Sequence, residues 1–392
     1  MGYDFDRVID RRGTYSIKWD VGENELPMWV ADMDFMTAPE ITEAMRERLE
    51  HGVFGYTDVP ERWYSAYTGW WKRRHGFEME KEWLVFCTGV VPAISSTVRK
   101  LTTPGENVII QTPVYNIFFN SIKNNGCNAV ECPLRYENGE YSMDLEDLER
   151  KMSDPQTSLM LLCNPQNPTG RVWDAETLAK VGKLAVEHSV TVLSDEIHCD
   201  ITEPGTEYVP FLSVSEECRR TGMACISPTK AFNIAGIQTA AVCIPDPVRR
   251  HRIKRALNTD EVAEPNVFAV TAAIAAFESG DGWLDELRRY ISANRKLCEE
   301  YIKKEIPGVS LVRGEATYLL WIDVSRLGED SSRTAAEIRR ETGLFVSAGS
   351  VYGGGGGNFI RMNIACPASV CLDGLRRLKA GVEKCLSGEA GV

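Results

Sequence analysis

The chain has 392 residues, of which 43% are hydrophobic and 26% charged, and 44 Lys+Arg against 56 Asp+Glu give a net charge of −12. This length predicts two to three domains around a core that needs no disulfide or metal staple. The acidic balance argues against nucleic acid or an anionic membrane surface as partner, and the ordinary composition excludes collagen-like, coiled-coil and disordered classes.

The N-terminus, MGYDFDRVIDRRG, lacks the apolar core of a secretory signal, and Asp6 stands where a myristoylation pattern wants Ser or Thr. No stretch approaches the ~20 apolar residues of a membrane helix, so no membrane association is expected. The 12 cysteines are scattered singly with no C-x-x-C. They predict reduced, mostly buried thiols and a cytoplasmic protein.

Before residue 83 the chain is rich in aromatics and shows no clear period. From 83 to 245 short apolar runs alternate with amphipathic stretches. The runs are WLVFC (83–87), NVIIQ (107–111), TSLMLLC (157–163), VTVLS (190–194), MACIS (223–227) and QTAAVCI (238–244). Several are apolar on both parities, as parallel strands buried on both faces must be. Between them DAETLAKVGKLAVEHS (174–189) repeats Leu178, Val181, Leu184 and Ala185 at helical spacing. The alternation predicts an α/β layered fold. Beyond 245 helical patterns dominate. They are followed by strand-like ATYLLWIDV, helix-like SRTAAEIRRETG, strand-like NFIRMNIA and a closing helix, so the tail reads as a second, α+β unit. The one low-complexity segment is Gly353–Gly357, and it is not a dinucleotide fingerprint because Asn358 stands where the last glycine is required.

Ligands of open parallel sheets bind beyond the carboxyl ends of the strands. Four strand ends carry chemistry here: Thr88-Gly89-Val90-Val91-Pro92, Asn164-Pro165-Gln166-Asn167-Pro168-Thr169-Gly170, Asp195-Glu196-Ile197-His198, and Ser227 with Pro228-Thr229-Lys230. Thr88-Gly89 opens a helix whose free N–H groups and positive dipole end make an anion site, to which Ser227 adds a hydroxyl. Asp195 suits a helix cap, a metal ligand or an ion pair with a cationic ring nitrogen. Lys230 follows a buried strand, where an apolar site disfavours the ammonium form and favours a nucleophilic amine. The run DEIHCD (195–200) invites a metal site through His198, Cys199 and Asp200, and hence a metal-dependent hydrolase. No second His/Cys pair at ligand spacing accompanies it, so no metal is expected. The pair Asp32 and Asp34 receives the same discount.

Together these residues resemble the fold-type I pyridoxal-phosphate enzymes, the class I/II (aspartate) aminotransferase superfamily. The marks are Asn-Pro-x-Asn-Pro-Thr-Gly (164–170), Asp-x-x-His (195–198), Ser-x-x-Lys (227–230) and Arg-x-Asn (361–363), in the family's order. Trp29-Val30-Ala31-Asp32-Met33-Asp34-Phe35, Gly55-Tyr56-Thr57, Lys230-Ala231-Phe232-Asn233-Ile234-Ala235-Gly236 and the segment 359–367 look like the MalY/PatB branch of C–S β-lyases, of cystathionine β-lyase type. The resemblance covers essentially the whole chain.

It implies a large α/β domain (41–284), with a central, mostly parallel seven-stranded sheet flanked by helices, that binds pyridoxal 5'-phosphate. It also implies a smaller α+β domain built from 1–40 and 285–392. Lys230 would hold the cofactor as a Schiff base and serve as acid and base at Cα. Asp195 would pair with the pyridine nitrogen, Asn167 would bond the ring's phenolic oxygen, with His198 nearby, and Tyr115 would stack on the ring. Gly89, Val90, Val91 and Ser227 would hold the phosphate, with Tyr56 reaching in from the second subunit of a homodimer. Arg361 would clamp the α-carboxylate of an amino-acid substrate, and Trp29 and Asp32 would line the pocket. Two positions depart from the wider superfamily. His198 stands where aminotransferases usually have Tyr, and Gly236 and Gln238 stand where they usually carry a phosphate-binding Arg.

The function implied is α,β-elimination from L-cystathionine or related S-substituted L-cysteines, giving a thiol, pyruvate and ammonia. The alternatives are an aminotransferase of the same fold and a regulatory protein that binds a transcription factor over a retained cofactor site. The absence of a distal-carboxylate arginine near the N-terminus favours the lyase.

Overall fold

The computed structural model describes residues 2–328 and 330–387. A central sheet is built from β1 (Leu84–Cys87), β2 (Asn107–Ile110), β3 (Asn128–Glu131), β4 (Thr157–Cys163), β5 (Thr191–Asp195), β6 (Gly222–Ile226) and β7 (Ala240–Cys243). Its order is β1-β7-β6-β5-β4-β2-β3. Every neighbouring pair is parallel except those of β7, which is antiparallel to β1 and β6. This is the mostly parallel seven-stranded sheet expected. Six strands coincide with the apolar runs. The seventh, β3, has no such run: Asn-Ala-Val-Glu lies at the sheet edge and is nowhere fully buried.

Alternation along each strand feeds two cores. On β4, Met160 and Leu162 enter one core while Leu159, Leu161 and Cys163 enter the other. On β1, Leu84 and Phe86 are similarly divided from Val85 and Cys87. Burial on both faces is why these strands read as continuous apolar runs. Helix Ala175–Glu187 covers one face, its Asp174 cap accepting from Thr177 N and its Leu178, Val181 and Ala185 buried. Helix Val90–Leu101 covers the other.

The aromatic stretch before residue 83 is helical after all, as Pro39–Glu50 and Glu61–His75. In the second helix Trp63, Ala66, Tyr67, Trp70 and Trp71 are buried. Their spacing of 3, 4, 7 and 8 residues from Trp63 is one helical face.

A second sheet, antiparallel throughout, contains β8 (Ser310–Leu311), β9 (Leu319–Asp323), β10 (Ser347–Ala348) and β11 (Phe359–Asn363) in the order β8-β9-β11-β10. Helices Ser331–Thr342 and Ala368–Ser387 accompany it. The first stops at Gly343, at φ +71°, where an added Cβ would lie 2.5 Å from Asn24 O. Leu26–Pro27 pairs in parallel with Leu344–Phe345, which ties the N-terminal segment to this part of the chain. The glycine run packs tightly: a Cβ on Gly353, at φ +88°, would lie 2.6 Å from Phe119 and 2.7 Å from Thr112.

All 12 cysteines are free thiols, and all but Cys385 are buried. Among the described residues, no helix is long and apolar enough to cross a membrane.

Candidate active site

The chemistry-bearing loops leave the carboxyl ends of adjacent strands. Asp195 ends β5, where it pairs with Cys163 on β4 and Cys225 on β6. The loop after β4 therefore brings Asn167, and the loop after β6 brings Ser227 and Lys230, to the two sides of Asp195. A cleft of about 1510 Å³ opens here, and Trp29, Tyr115, Lys230, Tyr352 and Arg361 line it. Asn167, Asp195 and His198 are buried.

The N-terminal segment 29–35 forms a strap whose backbone is held by side chains of the site. Lys230 Nζ donates to Ala31 O at 2.6 Å, and Tyr318 Oη donates to the same carbonyl at 3.0 Å. Arg361 Nη2 donates to Trp29 O at 2.8 Å, and its Nη1 donates to Asn167 Oδ1 at 3.1 Å. Asn363 Nδ2 reaches the carbonyls of Val30 and Asp32, each at 2.6 Å. Asn233 brackets the far end, accepting from Met33 N and donating to the carbonyls of Met33 and Phe35. Arg361 and Asn363 are two residues apart on β11 and so share one face.

Burial sets the charges. Desolvation lowers the Lys230 ammonium to about 8; the carboxylates of Asp32 and Asp195 oppose the shift, whereas Arg361 reinforces it. Burial pushes the Asp195 carboxyl up to about 7, against one backbone N–H from Ile197 at 3.1 Å and the Lys230 charge. His198 is driven down to about 3 by burial and then by Lys230 and Arg361, which keeps its ring neutral. Tyr115 is raised by burial.

Several of these groups are incomplete as they stand. Asp195 is a buried carboxyl to which no cation among the described residues is bonded. His198 Nδ1, Thr112 Oγ1 and Arg361 Nε are buried without hydrogen-bond partners among the described residues. Helix Val90–Leu101 has no side-chain cap, and its first-turn amides, followed by Pro92, have no acceptor within the helix. A buried carboxylate for a ring N–H, an amine for an aldehyde and uncapped amides for a phosphate fit pyridoxal 5'-phosphate.

Three expected residues, Asp32, Ser227 and Tyr56, are engaged by the protein itself or exposed in this chain. Asp32 is held by Arg11, at 3.2 Å to Oδ1 and 2.8 Å to Oδ2, and does not line the cleft. Lys18 sits 3.8 Å from it and donates to Asp34 Oδ2 at 2.8 Å. The Asp32 carboxylate is thus engaged within the N-terminal segment. Ser227 Oγ donates to Thr239 O at 2.7 Å and accepts from Thr229 N, so its proton is committed inside the protein. Tyr56 is fully exposed, in a segment with exposed Val53 and Phe54. The run 195–200 divides: His198 belongs to the site, whereas Cys199 and Asp200 approach His75, all within 4.8 Å. Asp200 there already accepts from Trp70 Nε1 at 3.0 Å and meets His75 Nε2 at 2.9 Å.

Sequence reasoning gave no role to Asn233, Asn363, Tyr318 or Tyr352. Asn233 and Asn363 stand inside motifs already singled out. Tyr352, whose ring lies 4.9 Å from the Arg361 guanidinium carbon, carried no signal beyond its place before the glycine run.

Residues 22–378 match the family model described as aminotransferase class I and II. The chain is 42% identical to cystathionine beta-lyase PatB of Bacillus subtilis (strain 168), over 96% of this chain and 99% of that protein. It is 32% identical to protein MalY of Escherichia coli (strain K12), over 94% and 95%. The crystal structure of cystalysin from Treponema denticola, which contains pyridoxal 5'-phosphate, superposes with a TM-score of 0.95 at 32% identity, covering 98% of this chain and all of that one.

Proposed function

The chain belongs to the aminotransferase class I and II family, and from that premise we propose that it is a pyridoxal-phosphate-dependent C–S β-lyase. It eliminates a thiol from L-cystathionine or a related S-substituted L-cysteine and leaves pyruvate and ammonia. The observation that carries the reading is the convergence of Lys230 and Arg361 on carbonyls two residues apart in one strap. An amine and a carboxylate clamp thereby face one cleft, with the Asp195 carboxyl behind them.

When bound, pyridoxal phosphate supplies an electron sink for charge developing at the substrate Cα. The residues do the rest. Arg361 fixes the α-carboxylate with its planar fork, which orients the Cα–H bond toward Lys230. Lys230, drawn to about 8, has a substantial free-base fraction near neutrality and takes the Cα proton. Asp195 would give the ring nitrogen an anionic partner that keeps it protonated. Asn167 and Tyr115 would hold the ring, and Gly89, Val90 and Val91 would offer backbone amides to the phosphate. Thiol departure follows proton removal, and the released three-carbon fragment hydrolyses to pyruvate and ammonia.

The same reading makes the protein a cytoplasmic homodimer in which Tyr56, exposed in this protomer, contacts the partner's phosphate. The domain boundaries, 41–284 against 1–40 with 285–392, belong to it too; the pairing of Leu26–Pro27 with Leu344–Phe345 supports them. The test is Lys230→Ala. The variant should fold, by circular dichroism, yet release no pyruvate from L-cystathionine, and turnover like that of the parent overturns the assignment.

A further inference from the structure

A second cavity, of about 460 Å³, opens where helix Glu61–His75 ends against the loop that follows β5. Its walls include His75, Cys199, Asp200, Glu207 and Arg288. Among the described residues none lines both this cavity and the cleft at Lys230. Three of these side chains form one cluster. His75 Nε2 meets Asp200 Oδ1 at 2.9 Å, although the two residues are 125 apart in the chain. Cys199 Sγ joins them, and all three donor atoms lie within 4.8 Å of one another. Cys199 and Asp200 are buried, and the His75 side chain is only 7% exposed. The cluster is oriented from behind. Trp70 Nε1 donates to both Asp200 oxygens, at 3.0 and 3.1 Å, and each oxygen keeps a lone pair. Tyr208 meets the His75 ring edge-on, with centroids 5.1 Å apart and planes at 77°.

We propose that His75, Cys199 and Asp200 bind one divalent cation of the zinc class, with the fourth coordination position open to the cavity. The inference is independent of the lyase reading. Imidazole, thiolate and carboxylate together make a mixed nitrogen, sulfur and oxygen set, which suits zinc and not the oxygen-seeking magnesium or calcium. Tetrahedral zinc sets its ligand atoms about 3.3–3.6 Å apart. The His75–Asp200 pair therefore has to open by roughly half an ångström, with no rearrangement of the chain. The Trp70 and Tyr208 contacts are the outer supports that such ligands need.

The charges around the cluster permit a cation. Arg73, Arg74 and Arg288 also line the cavity, but their charge is directed elsewhere. Arg73 pairs with Asp281 at 2.9 Å and Arg74 with Asp285 at 2.8 Å, both on helix Asp281–Glu305. Arg288 donates to Thr202 O and Thr202 Oγ1 and lies 3.7 Å from Asp285. Glu207, by contrast, has no ion-pair partner among the described residues. Burial first, then the charges of Asp200 and Glu196, keep the Cys199 thiol protonated. A bound cation takes the thiolate as ligand and releases that proton to solvent.

The alternative is a purely structural Trp70–Asp200–His75 network, which takes up no metal. Holoenzyme stripped with a chelator and kept reduced with a phosphine is titrated with Co²⁺ and then with Zn²⁺. The parent should bind one Co²⁺ per chain, with the visible bands of a tetrahedral site and a sulfur-to-cobalt charge-transfer band, and Zn²⁺ should displace it. Cys199→Ser should abolish the charge-transfer band. Cys199→Ser and His75→Gln should each weaken Zn²⁺ binding by at least about tenfold. Cys385→Ser, which removes the thiol that is not buried, should leave both readouts unchanged. Circular dichroism and the coenzyme's own absorbance show that each variant is folded and loaded. A parent that takes up no stoichiometric cobalt, a spectrum without the sulfur band, or binding that Cys199→Ser and His75→Gln both retain overturns the proposal. None of these readouts involves pyruvate release, so failure of the metal site and failure of the lyase reading are distinguishable.

Discussion

Asp195 ends one strand and Lys230 lies beyond the end of its neighbour, and burial draws each toward its neutral form, the carboxyl up to about 7 and the ammonium down to about 8. In water the two groups would titrate more than six units apart. Bringing them this close prepares a pair that charges when a positive ring and an aldehyde arrive.

For Lys230 this has a kinetic signature. Attack on the coenzyme aldehyde needs the free amine, so covalent uptake by coenzyme-free protein should accelerate as pH rises through about 8 and level off above it. Stopped-flow absorbance over pH 6.5–10.5 measures this, and a midpoint near the ~10.4 of an exposed lysine contradicts it. The stability sign is also fixed. Between about 8 and ~10.4 the unfolded chain binds a proton that folded Lys230 does not, so this contribution to stability rises with pH across that window.

Asp195 has the opposite slope. Between ~3.9 and about 7 the folded carboxyl keeps a proton that the unfolded one has lost, so its contribution to stability falls as pH climbs through the window. Asp195→Asn should remove that slope. Coenzyme-free variant and parent should melt together near pH 4, and the variant should melt a few degrees higher at pH 8, where the buried charge costs at most about 4 kcal/mol. The same change should reduce elimination at least ~100-fold, because a neutral amide does not stabilise the ring cation. Scanning calorimetry with a pyruvate assay measures both, and a lower Tm at pH 8 argues against the charge account.

The legible parts of this molecule were those written locally. Strands buried on both faces declare themselves as apolar runs, and residues just past them, Asn167, Asp195 and Lys230 among them, fall at the ligand end of the sheet by topology alone. β3 escaped because an edge strand of four residues needs no apolar pattern. The Trp63–Trp71 stripe escaped because its helical period was hidden among other aromatics. The partners of Asp32 and Ser227 were not legible for a different reason. Nothing in Asp32-Met33-Asp34 says that Arg11, 21 residues earlier, will bind its carboxylate, and nothing near Ser227 says that the Thr239 carbonyl will accept its hydrogen bond. Partners fixed by tertiary packing are not local information.

The strap offers a separate test. Asn363 holds the carbonyls of Val30 and Asp32 with two hydrogen bonds from one amide; Asp32 O also accepts from Lys18 Nζ at 3.2 Å, so loss of the side chain strands the Val30 carbonyl. Asn363→Ala should cost about 1–3 kcal/mol of stability from the stranded Val30 carbonyl. Because the strap carries the acceptors of Lys230 and Arg361, KM should rise severalfold with a smaller change in kcat. Urea unfolding and steady-state kinetics check both. A variant that is destabilised with KM unchanged would separate the strap from substrate binding.

Arg361 tests charge against geometry. It is buried, divides its donors between Asn167 Oδ1 and Trp29 O, keeps Nε unpartnered and lies over Tyr352. Lysine preserves the charge but not the planar fork, so Arg361→Lys should raise KM by roughly ten- to a hundredfold while the coenzyme still binds. Arg361→Met removes the charge as well. Since Arg361 helps to hold the Lys230 ammonium down, the pH midpoint of covalent coenzyme uptake should stay near 8 in Arg361→Lys and move upward in Arg361→Met. Both variants weaken substrate binding, yet only one shifts the amine. Equal midpoints in the two would mean that burial alone tunes Lys230 and that Arg361 acts through its fork only.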